Sequence, residues 1–398
     1  MTALKETADL ELTSLFKNSI KNQYFQFIKR GEKMKRSVVT LPDYAIGADV
    51  YQKAGSFIKK YGRTAVIIGG KRAMSAAGSE LTDALKKDGI AVLGQVWFGG
   101  DSTYENVDML TNNDTVKRAD VVLAVGGGKC CDTCKVVAER LDKPLFTFPT
   151  ISSNCAPCTA LAIMYNADGS FKNNFYSVKP PLCVFINDKI IANSPIEYLQ
   201  AGIGDALSKE AEVALALRHV RLDQNLLVGK ALCAACTEPL LQYGEEALKS
   251  CREKRTSQAL QEVILDIVIS TGLVSNMTVC PEFYYNTNLA HCFYYGATIF
   301  PVSHQYLHGF LVAFGVLVLL DYDGQTELRD RVMRFYRQTG LPVTLAEVGL
   351  TRDDLPALIE KATHVPGWHV DNYELSAEKF HDSILHVDDL GKKSPENQ

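Results

Sequence analysis

The stretch Asp120 to Lys135, DVVLAVGGGKCCDTCK, constrains this chain more than any other. Val121 to Val125 are uniformly apolar and run directly into Gly126, Gly127 and Gly128. A continuous apolar run of this kind reads as a strand buried on both faces, as in parallel sheets. The following KCCDTCKVVAERL has apolar positions at helical spacing. Glycines at such a junction let backbone amides approach a ligand with no Cβ in the way. The helix would aim its amino terminus and partial positive charge at the same point. The expectation is a pyrophosphate seat. The spacing is not GxGxxG, so the common dinucleotide fingerprint is not met and a tight turn is the plain alternative. Asp132 and Lys135 complete a GGGxxxDxxK pattern that a bare turn does not require; their ordinary reading is a helix-start acid and a solvated lysine.

Around this stretch strand-like and helix-like segments alternate. Ser37 to Leu41, Thr64 to Ile68, Ala91 to Phe98 and Pro144 to Phe148 read as strands. Ala48 to Tyr61, Ser75 to Lys87 and Glu105 to Arg118 read as helices. Such alternation predicts an α/β layer with a parallel sheet, whose ligands sit at the carboxyl edges of the strands. Beyond Pro195 the pattern is helical: Ile196 to Arg218, Asn225 to Cys251, Ser257 to Asn276, His308 to Tyr322 and Glu327 to Gln338. The expected organisation is therefore an extension over 1–33, a nucleotide-binding α/β domain over 34–193 and an all-helical domain over 194–398. The active site is expected in the cleft between the two domains.

Composition excludes several classes. A hydrophobic share of 46 % is far from that of a disordered chain, and a formal charge of −4 without charged blocks gives nucleic acid or an anionic membrane no handle. The start, MTALKETADLELTSLF, is charged where an export signal would be apolar, and the run Phe310 to Leu320 is too short to span a bilayer. A cytoplasmic protein follows as the expectation. Cys131/Cys134, Cys155/Cys158 and Cys233/Cys236 each form CxxC. The first and third pairs fall in helical patterns and no return spacing links the three, so the cysteines read as reduced, mostly buried thiols.

Candidate chemistry gathers in the helical half. His291 lies in NLAHCFYYGAT, ahead of the breaker Pro301, and His308 opens YLHGFLVAFG, where Gly309 leaves room close to the backbone. Asp205 lies in AGIGDALSKEAEVAL, which reads as a helix start, with an N-cap as its plain alternative. One Asp and two His make a ligand set suited to zinc or ferrous iron, with a position open for water or substrate. His304 and His308, four apart, form a second possible couple, and a satisfied core histidine is the bland reading of each.

Five blocks in order, AVGGGKCCDTCK, PTISSNCAPCTALAIMYNADG, AGIGDALSKEAE, LAHCFYYGATIFP and YLHGFLVAFG, resemble the iron-containing alcohol dehydrogenase superfamily, in its glycerol dehydrogenase-like branch. The resemblance runs over roughly residues 34 to 390. It implies an NAD(P)-linked dehydrogenase acting on a small-molecule substrate, with a divalent metal held by Asp205, His291 and His308. Gly126, Gly127, Gly128, Lys129 and Cys130 would cradle the pyrophosphate, and Thr150, Ser153, Thr159, Leu161 and Tyr165 would contact the rest of the dinucleotide. Lys209 stands where the ferrous members place a further histidine, which matches the three-ligand branch, usually zinc enzymes. A homo-oligomer, from dimer to octamer, is also implied.

Three departures from that pattern bear on specificity. The aspartate expected for the adenine ribose is Gly70, followed by Lys71 and Arg72, which favours a ribose 2′-phosphate and NADPH. The substrate-side aspartate of the glycerol enzymes is Cys155. The histidine three residues after the first histidine ligand is Tyr294, followed by Tyr295, so a tyrosine or a water chain must take over the proton relay. The chain is more similar to the subgroup acting on 2-oxo and 2-hydroxy acids, with Cys155 and His291 on the substrate side. The competing expectations are glycerol dehydrogenase proper, a dehydroquinate synthase-like cyclase and a non-catalytic nucleotide-binding protein. The cyclase would need several cations around the metal, where the sequence offers only Lys209 among apolar and aromatic residues.

Overall fold

Gly126 ends the central strand of a six-stranded, wholly parallel sheet in the computed structural model, which describes residues 39–369 and 374–393. In chain order the elements of this half are β1 (Asp43–Ile46), α1 (Tyr51–Ile58), β2 (Thr64–Gly69), α2 (Lys71–Lys87), β3 (Ala91–Trp97), α3 (Tyr104–Asn112), α4 (Asp114–Arg118), β4 (Val121–Gly126), α5 (Gly128–Leu141) and β5 (Leu145–Pro149). The hairpin β6 (Leu161–Tyr165) and β7 (Phe171–Tyr176) follows, then β8 (Cys183–Ile186) and α6 (Asp188–Ala192).

The sheet order is β1-β8-β5-β4-β2-β3. From β2 the chain steps outward to β3, then crosses back over β2 to β4, so the winding reverses between β2 and β4. A crevice opens at such a reversal, beyond the carboxyl ends of the two strands. The apolar run of β4 serves both faces of the sheet: Val121, Leu123 and Val125 join one core, Val122 and Ala124 the other. That division is why the run does not alternate.

Past α6 the chain is helical: α7 (Ile196–Ala206), α8 (Ser208–Ala216), α9 (Gln224–Cys233), α10 (Glu238–Arg252) and α11 (Gln258–Thr278), which carries a π-helical segment at Asp266–Ser270. After the two-residue ribbon β9 (Val279–Cys280) and β10 (Phe283–Tyr284) come α12 (Leu289–Ala297), α13 (His308–Tyr322), α14 (Thr326–Thr339), α15 (Leu355–Ala362) and α16 (Ala377–Lys392). One large core joins these helices around α13, which is apolar on all sides and buried on nearly all of them. By length and composition α11 could cross a membrane, but 72 % of its apolar window is buried inside the protein.

Several elements differ from the sequence reading. The expected extension 1–33 and Ser37 and Val38 lie outside the described residues, and the first described strand starts at Asp43 rather than at Ser37 to Leu41. Pro42, immediately before it, has no amide to give to a ladder. Helix α2 begins four residues early, at Lys71, because Gly70 supplies an extended N-cap. Glu105 to Arg118 is two helices, broken where Asn113 turns out and caps the second with its side chain. Asn225 to Cys251 is likewise two helices, with Pro239 in the first turn of the second. Asp205 lies in the last turn of α7, not at a helix start, so the N-cap reading fails.

Candidate active site

Two helices place the acid and one histidine of the candidate metal set. Helix α7 brings Asp205 and α13 brings His308, and they cross at glycines. A Cβ on Gly309 would stand 1.8 Å from the Ala201 carbonyl oxygen, and one on Gly204 would meet the Gly309 carbonyl at 2.5 Å. Only glycine permits this approach. The space read beside His308 is thus filled by the backbone of the helix that carries Asp205.

His308 Nε2 lies 3.1 Å from Asp205 Oδ1, and His291 Nε2, on α12, lies 3.5 Å from the same oxygen. One ligand atom from each of Asp205, His291 and His308 falls within 4.8 Å of the others, and among the described residues this is the one cluster of metal-ligand type. Burial alone would raise the Asp205 carboxyl, but the hydrogen bonds from His291 and His308 outweigh it and hold the group well below the usual carboxylate range. Burial would likewise lower His291; the Glu212 carboxylate and the bonds to Asp205 and Glu212 overcome this and push it up to about 9. His304 stands apart, with its ring on the Thr298 carbonyl.

Glu212 is the residue the sequence reading missed. It sits on α8, wholly buried, and its carboxylate accepts hydrogen bonds from the amides of Asn288 and His291 at 2.7 and 2.9 Å. Its other oxygen lies 2.7 Å from His291 Nδ1, which leaves Nε2 turned toward Asp205 and His308. A carboxylate behind a ligand histidine fixes the ring and its tautomer. The only signal in the sequence was an acid seven residues after Asp205, on the same helical run.

The cleft at the sheet's reversal point has a volume of about 1110 Å³. Gly70, Lys71, Arg72, Gly126, Gly127, Gly128, Lys129, Cys130, Thr150 and Ser153 line it, and so do His308 and Gly309. The glycine bend and His308 of the cluster therefore share one cavity, whose lining does not include Asp205 or His291. At the bend, α5 has Gly127 as an N-cap with no side-chain bond, so its first amides are uncovered. A Cβ on Gly127 would meet Ile151 at 2.6 Å, and one on Gly128 would meet Asn154 at the same distance. The lining carries Lys71, Arg72, Lys129 and Lys189 against the single carboxylate of Glu80. Lys129 is paired with Asp101 at 2.7 Å and lies over the Tyr165 ring, while Lys71 lies 5.2 Å over Trp97.

Other expected contacts lie elsewhere. The Cys130 thiol turns back to the carbonyls of Ile68 and Val125, leaving only its backbone toward the cleft. Thr159, Leu161 and Tyr165 are not among the lining residues. The Thr159 hydroxyl and the Leu161 carbonyl accept from Lys135 Nζ at 2.9 and 2.6 Å. Lys135 is itself fully buried on Asp132 at 2.8 Å, and Asp132 accepts from the Ile163 amide, so the pair clamps the β6 edge to α5. The reading of this pair as a helix-start acid with a solvated lysine is corrected: Lys135 is not solvated. Tyr294 sets its ring 4.2 Å from that of His308, edge to face, and its hydroxyl neighbours that of Tyr165. Burial pushes the Tyr294 hydroxyl up to about 12, so it keeps its proton near neutrality. Cys155 is half-buried, and burial raises its thiol. All eleven cysteines are free thiols.

A family model described as iron-containing alcohol dehydrogenase matches residues 42–213. The chain is 36 % identical over 273 residues to a glycerol dehydrogenase of Thermotoga maritima, covering 67 % of this chain and 73 % of that one. The chain belongs to the iron-containing alcohol dehydrogenase family. It is also 33 % identical over 285 residues to hydroxycarboxylate dehydrogenase A of Escherichia coli, covering 71 % of this chain and 77 % of that one. The crystal structure of a glycerol dehydrogenase from Schizosaccharomyces pombe superposes with a TM-score of 0.80 at 25 % identity, covering 91 % of this chain and 92 % of that one. As a member of this alcohol dehydrogenase family, whose enzymes use NAD(P) and a divalent metal, the chain is an oxidoreductase. Its residues fit both groups. The donors converge on one point with a carboxylate buttress behind them, and the cleft offers uncovered helix amides and a cationic lining to an anionic cofactor.

Proposed function

We propose that this protein interconverts a small alcohol, a 2-hydroxy acid or a diol, with its carbonyl by NAD(P)-linked hydride transfer. The observation that carries the reading is the shared cavity: His308 of the Asp/His/His cluster and the glycine bend after β4 line the same cleft. Residues 34–193 form the nucleotide-binding part and 194–398 the metal-holding part. Zinc is the metal that a three-ligand set of one carboxylate and two imidazoles suits, with ferrous iron as the alternative. When bound, the metal polarises the substrate oxygen and the nicotinamide exchanges a hydride with the carbon bearing it.

The chain's own residues do the rest. Asp205, His291 and His308 hold the ion, and Glu212 keeps the His291 ring turned to it. The amides of Gly127, Gly128 and Lys129 at the start of α5 seat the pyrophosphate. Lys71 and Arg72, in the first turn of α2, receive a ribose 2′-phosphate, so NADPH serves at least as well as NADH. The Tyr294 hydroxyl, firmly protonated, passes a proton by exchange with the neighbouring Tyr165 hydroxyl rather than by ionising. Tyr294→Phe should then depress turnover and change its pH profile; an unaltered profile removes the relay. The protein is read as cytoplasmic and as a homo-oligomer, with no nucleic-acid or membrane partner.

Glycerol oxidation is the second reading, favoured by the similarity to the glycerol dehydrogenases of T. maritima and S. pombe. A panel of ketones, aldehydes, 2-oxo acids and glycerol, followed by the absorbance of the reduced cofactor, tests both. Zinc-loaded protein should turn over at least one small carbonyl and lose that activity on chelation. Silence across the panel with metal bound would sink the dehydrogenase reading.

A further inference from the structure

Lys209 is a buried cation beside the metal cluster. Its side chain is 5 % exposed, and Nζ bonds to Asn286 Oδ1 at 2.6 Å and to the Asn286 carbonyl at 3.4 Å. Among the described residues no carboxylate comes within ion-pair distance of it. A buried ammonium held only by neutral acceptors is costly, and an anion arriving at it is correspondingly favoured. Lys209 follows Asp205 by four residues across the junction of α7 and α8, where Leu207 keeps helical angles, so the two side chains occupy neighbouring places on one face. The charges of Lys209 and Asp205 are both felt at the Cys155 thiol, so it lies within electrostatic reach of each; Lys209 also acts on Cys233 and Cys236. Asn286 stands five residues before His291, so the loop leading into α12 fixes the ammonium and the ligand together.

We propose that Lys209, braced by Asn286, receives the carboxylate of a 2-oxo or 2-hydroxy acid whose reacting oxygen lies at the Asp205/His291/His308 cluster. In such a substrate the carboxylate is one bond from the reacting carbon, which suits two anchor points one helical turn apart. Cys155 completes the arrangement by being uncharged. A carboxylate at its place would pair with Lys209 and take the position the substrate needs. The proposal rests on the dehydrogenase reading above and names the substrate class for it.

The test compares kcat/KM for 2-oxobutyrate with that for the neutral 1-hydroxy-2-butanone in the zinc-loaded enzyme. Wild type should favour the acid. Lys209→Met should lower the acid-to-ketone ratio by about 100-fold, mainly through KM, as loss of a charged hydrogen bond predicts. Cys155→Asp, which keeps the lysine but neutralises it internally, should lower the same ratio. In metal-chelated protein, oxamate should raise the Tm of wild type and of neither variant. An unchanged ratio in both variants, with acid and ketone rates falling together, overturns the proposal, because a merely structural lysine behaves in that way. Wild type reducing only the hydroxyketone overturns it too while leaving the dehydrogenase reading intact. Wild type reducing neither fails the dehydrogenase reading instead, and the oxamate shift then decides Lys209 alone.

Discussion

Glu212 stands behind His291, its carboxylate 2.7 Å from Nδ1 and bonded as well to the backbone amides of Asn288 and His291. One acid thereby sets the first turn of α12 and the ring of a metal ligand. In Glu212→Gln an amide NH2 would face Nδ1 and move the ring proton to Nε2, the atom the metal needs. Zinc affinity should fall about 10- to 100-fold, read by competition with a chromogenic chelator. The circular dichroism spectrum should stay close to wild type. Equal zinc affinity in the two proteins would show that the ring is held by packing.

Lys71 and Arg72 begin α2 at the rim of the cleft, with the lysine over the Trp97 face. If they receive a 2′-phosphate, replacing both by alanine should lower kcat/KM for NADPH about 10- to 100-fold relative to NADH. Added salt should weaken NADPH binding in wild type more than in the double variant. Strong NADH preference in wild type under matched conditions would remove the idea.

Four strands of the sheet were legible because they are short apolar runs between turn residues, and β2 and β4 came out nearly to the residue; β1 lies later than expected and β8 was not read. The histidine cluster was legible only through residue type and family pattern, since Asp205, His291 and His308 are far apart in the chain and meet by helix crossing. Gly309 was read as making room without showing for what; the Ala201 carbonyl that fills it is a tertiary fact. The β6–β7 hairpin went unread because its edge is held by Lys135 reaching from α5, not by its own pattern. Glu212 was invisible for a similar reason: on a helix, an acid turned inward has the same spacing as one turned to water.

The Asp132–Lys135 pair makes a separate claim about stability. Burial raises the Asp132 carboxyl even with the lysine beside it, so the pair holds its position by mutual dependence. Lys135→Met removes the cation and leaves the acid with only the Ile163 amide and the Leu161 carbonyl with only the Thr159 hydroxyl. A loss of about 3–5 kcal/mol is expected from urea unfolding. The double change Asp132→Asn with Lys135→Met should recover much of that loss, since no uncompensated charge remains. If the single variant unfolds at the wild-type midpoint, the clamp does not stabilise the fold.

Asp266 opens the π-helical segment of α11, is 2 % exposed, and neither carboxylate oxygen has a hydrogen-bond partner among the described residues. Burial pushes its carboxyl up from 3.8 to about 7; the Ser270 hydroxyl, four residues on, opposes the shift without reaching hydrogen-bond geometry, and Glu210 adds to it. The folded value exceeds the unfolded one, so between them the native state keeps a proton that the unfolded chain releases. Stability therefore falls as pH rises from about 4 to about 7, and the full penalty is present above that. The shift corresponds to roughly 4 kcal/mol at most. Asp266→Asn cannot ionise, so its stability should be flatter across this window. Relative to wild type it should gain as pH rises, most of all near pH 8. Urea midpoints measured at pH 4.5 and pH 8 decide this: a gap that does not widen toward the higher pH would mean that Asp266 titrates normally in the folded protein.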